Sequence, residues 1–312
     1  MTARLIMKLR VQRARMTALD VLQLDLVHPL RSELPEWTAG AHVDLRLPDG
    51  KVRQYSLCGD PADRSKYQIA IKREGGGRGG SIWAHANLAP GAIAHVSAPR
   101  NNLPLSQGGR CILVAGGIGV TPFAAMARVL AREGRDFTMH LCARSPLHAP
   151  LLSELEAVCG ARLVTWFSSE GHRFSADVVG AYDEDTHVYV CGPQRLLDDV
   201  QAALSHWPDD QVHYEVFQAT PDENFKPEPF EATIASTGQR LLVPADRSLL
   251  DVLRENGFIM ASSCELGLCG SCECGYRDGM VIHRDKALSV SKRQDRLLTC
   301  VSRARVAVTL DL

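Results

Sequence analysis

Apolar and polar positions alternate with a two-residue period through the first part of the chain, in residues 7–18 (MKLRVQRARMTA), 20–29 (DVLQLDLVHP), 42–50 (HVDLRLPDG), 51–58 (KVRQYSLC) and 67–74 (YQIAIKRE). That period marks half-buried strands, and Asp49-Gly50 between the third and fourth is a tight hairpin signal, so residues 1–105 read as a small antiparallel β-barrel. From residue 106 the pattern changes. Short wholly apolar runs, CILVAGG, FTMHLCAR, RLVTWFSS, HVYVCGP and VHYEVF, alternate with helical stretches such as TPFAAMARVLAREG, LLSELEAVCG and QRLLDDVQAALSHW. Strands buried on both faces and separated by helices predict a parallel α/β sheet over 106–220. TPDENFKPEP then runs polar and proline-rich, which places a linker at 221–229. Residues 230–312 open with alternation in FEATIASTGQRLLVP, carry a helical stretch at Ser248–Asn256 and a Cys/Gly-rich loop, and close on VAVTLDL, a small α+β unit.

A length of 312 residues, 45% hydrophobic and 23% charged, fits two or three globular units. The formal net charge of −1 supplies no basic field for nucleic acid or an anionic membrane. The apolar runs are too short to span a bilayer, and the opening MTARLIMKLRVQRAR has no signal-peptide core, so a cytoplasmic location is expected. Four of the ten cysteines are bunched in a metal-like spacing and most others sit singly in apolar strands, which favours reduced thiols and a metal centre over disulfides.

Cys264, Cys269, Cys272 and Cys300 follow C-x4-C-x2-C plus a distant fourth cysteine, the ligand pattern of a plant-type [2Fe-2S] ferredoxin. Iron and bridging sulfide call for soft anionic donors, and Gly267, Gly270 and Gly275 let one loop wrap them. Structural zinc usually takes two close cysteine doublets and fits this spacing less well. Cys274 is surplus to a four-thiolate site.

Two further motifs point to a flavin. Arg53-Gln54-Tyr55-Ser56 resembles the R-x-Y-S motif of ferredoxin-reductase-like barrels, where the arginine meets flavin phosphate and the Tyr/Ser pair lines the ring system. Gly77-Arg78-Gly79-Gly80-Ser81 leads into SIWAHANL, so glycine amides, a helix N-terminus and Arg78 could converge on one phosphate. Gly116-Gly117-Ile118-Gly119-Val120-Thr121-Pro122 lies between a strand and a helix, where an open α/β sheet takes a dinucleotide pyrophosphate. It resembles the G-G-x-G-x-T-P loop of the same proteins, and Cys191-Gly192-Pro193 resembles their second nicotinamide-side motif, although Cys191 reads equally as a buried strand-end cysteine. Arg144, after the second strand, resembles the adenosine-ribose position, and a single basic residue there favours NADH over NADPH.

Taken in order, these motifs resemble the phthalate dioxygenase reductase family, including the vanillate demethylase reductases, over nearly the whole chain. The resemblance implies a multidomain fold of flavin barrel, nucleotide α/β domain and C-terminal β-grasp ferredoxin. It also implies FMN, a [2Fe-2S] cluster and NADH as cofactors, a Rieske-type terminal oxygenase as partner, and Ser56 and Thr121 shaping the hydride path. Residues 226–312 hold 12 Lys/Arg against 11 Asp/Glu, so docking through a large acidic patch is not expected. Two other readings remain: an FAD-dependent reductase serving an acceptor such as a cytochrome, and a redox sensor.

Overall fold

A computed structural model describes residues 5–76, 79–217 and 225–312. Contacts divide the chain into two compact units, Met1–Phe217 and Gln218–Leu312.

The first unit begins with β1 (Ile6–Ala18), β2 (Val21–Val27), β3 (Ala41–Arg46), β4 (Val52–Ser56), β5 (Tyr67–Lys72), α1 (Gly80–Asn87), β6 (Ile93–Ser97) and β7 (Arg100–Asn101). These strands form one antiparallel sheet in the order β4-β3-β6-β1-β2-β5, with β7 added on β3. A bridge from Leu57 to Ile69 joins the end of β4 to β5 and closes the sheet on itself. Alternation decides which side faces in: Met7, Leu9 and Val11 of β1 are buried while the residues between them are exposed. The five strands read from the sequence are present, and β6 and β7 are additional. Only Ala94, Val96 and Ser97 of β6 are buried, too short an apolar pattern to announce a strand.

The same unit continues with β8 (Arg110–Gly116), α2 (Thr121–Arg132), β9 (Phe137–Ala143), α3 (Leu152–Cys159), β10 (Leu163–Phe167), β11 (Thr186–Cys191), α4 (Gln194–Ala203) and β12 (Val212–Glu215). All pairings are parallel, in the order β10-β9-β8-β11-β12. Cys111, Leu113 and Ala115 of β8 join a core that includes Phe123, Met126 and Leu130 of α2, while Ile112 and Val114 face Leu197 and Val200 of α4. Burial on both faces is why these strands read as unbroken apolar runs. The strand order reverses at β8, which puts the topological switch point between the carboxyl ends of β8 and β11. The barrel and this sheet share one core, in which Leu57 and Ile69 lie with Val120 and Phe123. Glu154 on α3 links them further, accepting hydrogen bonds from Arg15 of β1 and, at 2.8 Å, from Arg128 of α2.

The second unit comprises β13 (Phe230–Ile234), β14 (Arg240–Val243), α5 (Leu249–Glu255), β15 (Glu273–Ile282), β16 (Arg296–Leu298) and β17 (Arg303–Leu310). Its sheet runs β14-β13-β17-β15-β16, with β13 and β17 parallel and the other pairs antiparallel. Ser248 caps α5 by accepting the Asp251 amide at 3.1 Å, and Leu249, Val252 and Leu253 pack on Phe230, Ile234, Val308 and Leu310. β15 falls in the stretch read from the sequence as a loop. Its composition, ECGYRDGMVI, is poor in β-formers, and antiparallel pairing with β17 imposes the strand. No helix among the described residues is long and apolar enough to cross a membrane.

Candidate active site and cluster-binding loop

Strand β4 delivers Arg53, Gln54, Tyr55 and Ser56 in succession, and the pleat sends neighbours to opposite sides. Gly80 opens α1 against the Arg53 side chain; a Cβ there would lie 2.7 Å from Arg53 Nε. Gly79 takes the left-handed conformation just before it, and no side chain caps this helix end. A guanidinium and uncapped helix amides therefore share one place, a donor set that suits phosphate. Ser81 is turned away, its Oγ accepting the Glu74 amide at 3.0 Å, while Gly77 and Arg78 lie outside the described residues. Gln54 pairs with His42 at 3.1 Å on the barrel, where burial, helped by the charge of Arg100, pushes the imidazole down to about 4. Burial also lifts the Tyr55 hydroxyl to about 12, so a neutral aromatic face is available beside Arg53.

The carboxyl ends of the parallel strands bring the other motifs to one edge. In register, Cys191 stands beside both Ala115 and Glu215, and Gly116 beside Cys142. A Cβ on Gly119 would sit 2.3 Å from the Cys191 carbonyl oxygen, and one on Gly116 would sit 2.5 Å from Pro193 Cδ. The two loops touch backbone to backbone, so no side chain fits between them. Thr121 starts α2 with Pro122 in its first turn and donates its hydroxyl to the Ile118 carbonyl at 3.0 Å, locking the loop. Gly117 adopts φ 54 within the same turn. Arg144 stays exposed, its carbonyl accepting the Ser169 amide at 2.9 Å.

We expect Gly119→Ala to destabilise the fold by about 1–3 kcal/mol through overpacking. NADH-dependent turnover should fall roughly tenfold, about 1.4 kcal/mol in barrier, with reduction by dithionite unaffected. Steady-state and dithionite assays side by side check this; wild-type turnover would contradict the backbone contact.

Sequence reading missed Glu215 and Phe217. Burial pushes the Glu215 carboxyl up to about 8, opposed by the nearby Ser56 hydroxyl. Neither Ser56 Oγ nor Glu215 Oε2 makes a hydrogen bond of regular geometry to a described residue, so two buried polar groups from β4 and β12 meet with bonding capacity to spare. Burial raises the Cys191 thiol well above its ordinary range, and Glu215 adds to the rise, so this cysteine is held neutral. Phe217 packs half-buried on the shared core beyond β12. A lone carboxylate in the apolar run VHYEVF was the available signal for Glu215.

In the second unit the four cysteines fall into two pairs. Cys272 Sγ lies 3.2 Å from Cys300 Sγ, and the Cys264 amide points to Cys269 Sγ at 3.5 Å. The Leu266 amide donates to Cys264 Sγ at 3.3 Å. No three metal-binding side chains among the described residues converge on a single ion. Two cysteine pairs, the first with a backbone N–H on each of its sulfurs, suit a group with two metal centres better than one tetrahedral zinc. Cys274 is buried apart from them with its thiol raised to about 11 by burial.

An antiparallel barrel, a parallel nucleotide-type sheet and an iron–sulfur domain in this order define a modular reductase. Residues 232–305 match the 2Fe-2S iron-sulfur cluster binding domain. The chain is 40% identical to the reductase subunit of tert-butanol monooxygenase / tert-amyl alcohol desaturase from Aquincola tertiaricarbonis, over 98% of this chain and 96% of the relative. It is 37% identical to phthalate dioxygenase reductase from Burkholderia cepacia, over 98% and 97%. The solved structure of phthalate dioxygenase reductase, described as modular for electron transfer from pyridine nucleotides to [2Fe-2S], aligns with TM-score 0.82 and 36% identity over 98% of each chain. The chain belongs to the phthalate dioxygenase reductase family.

Proposed function

We propose that this chain is the reductase component of a multicomponent oxygenase, using NADH, FMN and a [2Fe-2S] cluster to supply electrons to a Rieske-type terminal oxygenase in the cytoplasm. The observation that carries the reading is the two-pair arrangement of Cys264, Cys269, Cys272 and Cys300 on the same chain as a phosphate cradle and a dinucleotide loop. Bound flavin would supply the conversion of a hydride into two single electrons, and a bound cluster their onward transfer one at a time.

The protein's own part is to hold and to shield. Arg53 and the amides from Gly79 to Ser81 hold the flavin phosphate, with Arg78 completing the motif, and Tyr55 gives the ring a face to stack on. Ser56 would offer its hydroxyl to bound flavin, and Glu215 next to it keeps a proton at neutral pH. Gly116, Gly117 and Gly119 would let the backbone approach a dinucleotide pyrophosphate, while Thr121 and Pro122 fix the start of α2. Arg144 takes the adenosine ribose, and Cys191, Gly192 and Pro193 border the nicotinamide. The four cysteines carry the irons.

Extraction of the bound flavin tests the cofactor, and mixing the reduced holoprotein with a Rieske oxygenase tests the partner. We expect FMN on extraction and rapid oxidation of the reductase as the Rieske centre bleaches. Release of FAD, with transfer to a cytochrome alone, would replace this reading.

A further inference from the structure

Asp285 lies in the connection between β15 and β16, and its carboxylate is fully buried. A buried carboxylate is unfavourable unless its lone pairs are met. Here Oδ2 accepts the Leu288 amide at 2.9 Å and Arg293 Nη2 at 3.5 Å, and Arg293 Nη2 also reaches the Asp285 main-chain carbonyl at 2.6 Å. His283 closes a ring of contacts, with Nε2 at 3.0 Å from the Arg293 carbonyl and Nδ1 at 3.7 Å from Asp285 Oδ1.

This ring bears on the cysteine loop through one residue. The Lys286 amide donates to the Gly267 carbonyl at 3.0 Å. Gly267 sits at φ +75, and a Cβ on it would meet Val301 Cγ2 at 2.7 Å and Asp285 Cα at 3.1 Å. The carbonyl side of Gly267 is thus held by the segment that Asp285 anchors, directly after Leu266, whose amide donates to Cys264 Sγ at 3.3 Å. Amides directed at cluster sulfurs favour the reduced, more negative state and are among the levers that set the potential.

We propose that Asp285, held by Arg293 and the Leu288 amide, is a positioning residue that clamps Gly267, keeps the adjoining Leu266 N–H on the Cys264 sulfur and thereby sets the reduction potential of the cluster. The inference rests on the reading of the four cysteines as [2Fe-2S] ligands. Loosening the clamp weakens the N–H to sulfur contact, so the cluster becomes harder to reduce while its ligands stay in place.

The test uses the full-length holoprotein with Asp285→Asn, which keeps an acceptor for Leu288 but removes the charge that orders Arg293, and Arg293→Gln, which attacks the clamp from its other side. Iron and sulfide content, the potential from a spectroelectrochemical titration and the EPR spectrum are measured together. We expect full iron content, altered g-values and a reduction equilibrium moved about tenfold toward the oxidised cluster, or about 59 mV for one electron. Either variant holding full iron with the wild-type potential and g-values would overturn the proposal. So would loss of iron from both, because Asp285 would then serve assembly rather than potential. A wild-type protein with no [2Fe-2S] signal would instead sink the reading of the cysteines, so the two failures are distinguishable.

Discussion

Replacing Cys272 by Ser should abolish electron delivery to any single-electron acceptor that draws on the cluster while leaving NADH oxidation by ferricyanide in place. Cys272 is buried, pairs with Cys300 at 3.2 Å, and its carbonyl receives both the amide and the hydroxyl of Thr299. Losing this sulfur removes half of one thiolate pair, and the hard serine oxygen is a poor substitute toward iron and sulfide. The flavin and nucleotide motifs lie in the other compact unit, so hydride uptake should survive. Iron analysis with parallel ferricyanide and oxygenase assays checks this. Equal loss of both activities would mean that the units do not have separate tasks.

The second large effect concerns acidity. Glu215→Gln should flatten the dependence of stability on pH between about 4.5 and 8. Burial holds the folded carboxyl at about 8 against an ordinary 4.5, so between those values the folded chain keeps a proton that the unfolded chain releases. The linked stability is fully present below the unfolded pKa and is lost as pH rises through the folded one. At about 1.36 kcal/mol per unit, the shift amounts to something on the order of 5 kcal/mol. Glutamine imitates the neutral carboxyl and cannot ionise, so the variant should be the more stable protein at pH 8–9. Thermal unfolding from pH 5 to pH 9 reads the difference, and parallel curves for the two proteins would contradict the assignment.

The readable parts of the sequence were those in which local chemistry and fold agree. Runs buried on both faces announced β8, β9 and β11, and the Gly116–Pro122 loop lies at the strand-order reversal where a pyrophosphate loop belongs. The cysteine spacing gave the four sulfurs but not their pairing, which depends on β16 carrying Cys300 back beside Cys272. Glu215 was hidden because a charged residue inside a strand shows its meaning only when Ser56 comes up against it from the barrel. Asp285 was hidden for a similar reason: a polar stretch such as HRDKALS reads as solvated loop until Arg293 and Gly267 fold over it. β15 went unread because pairing partners, not its own residues, make it a strand.

On the proposed path, electrons enter this chain from NADH and leave it through the cysteine loop. An anaerobic NADH titration of the purified holoprotein, followed by absorbance and low-temperature EPR, tests it most directly. Flavin bleaching together with a rhombic signal from a reduced [2Fe-2S] cluster is the expected result. Flavin bleaching with no cluster signal, in protein that carries its full iron and sulfide, would contradict it.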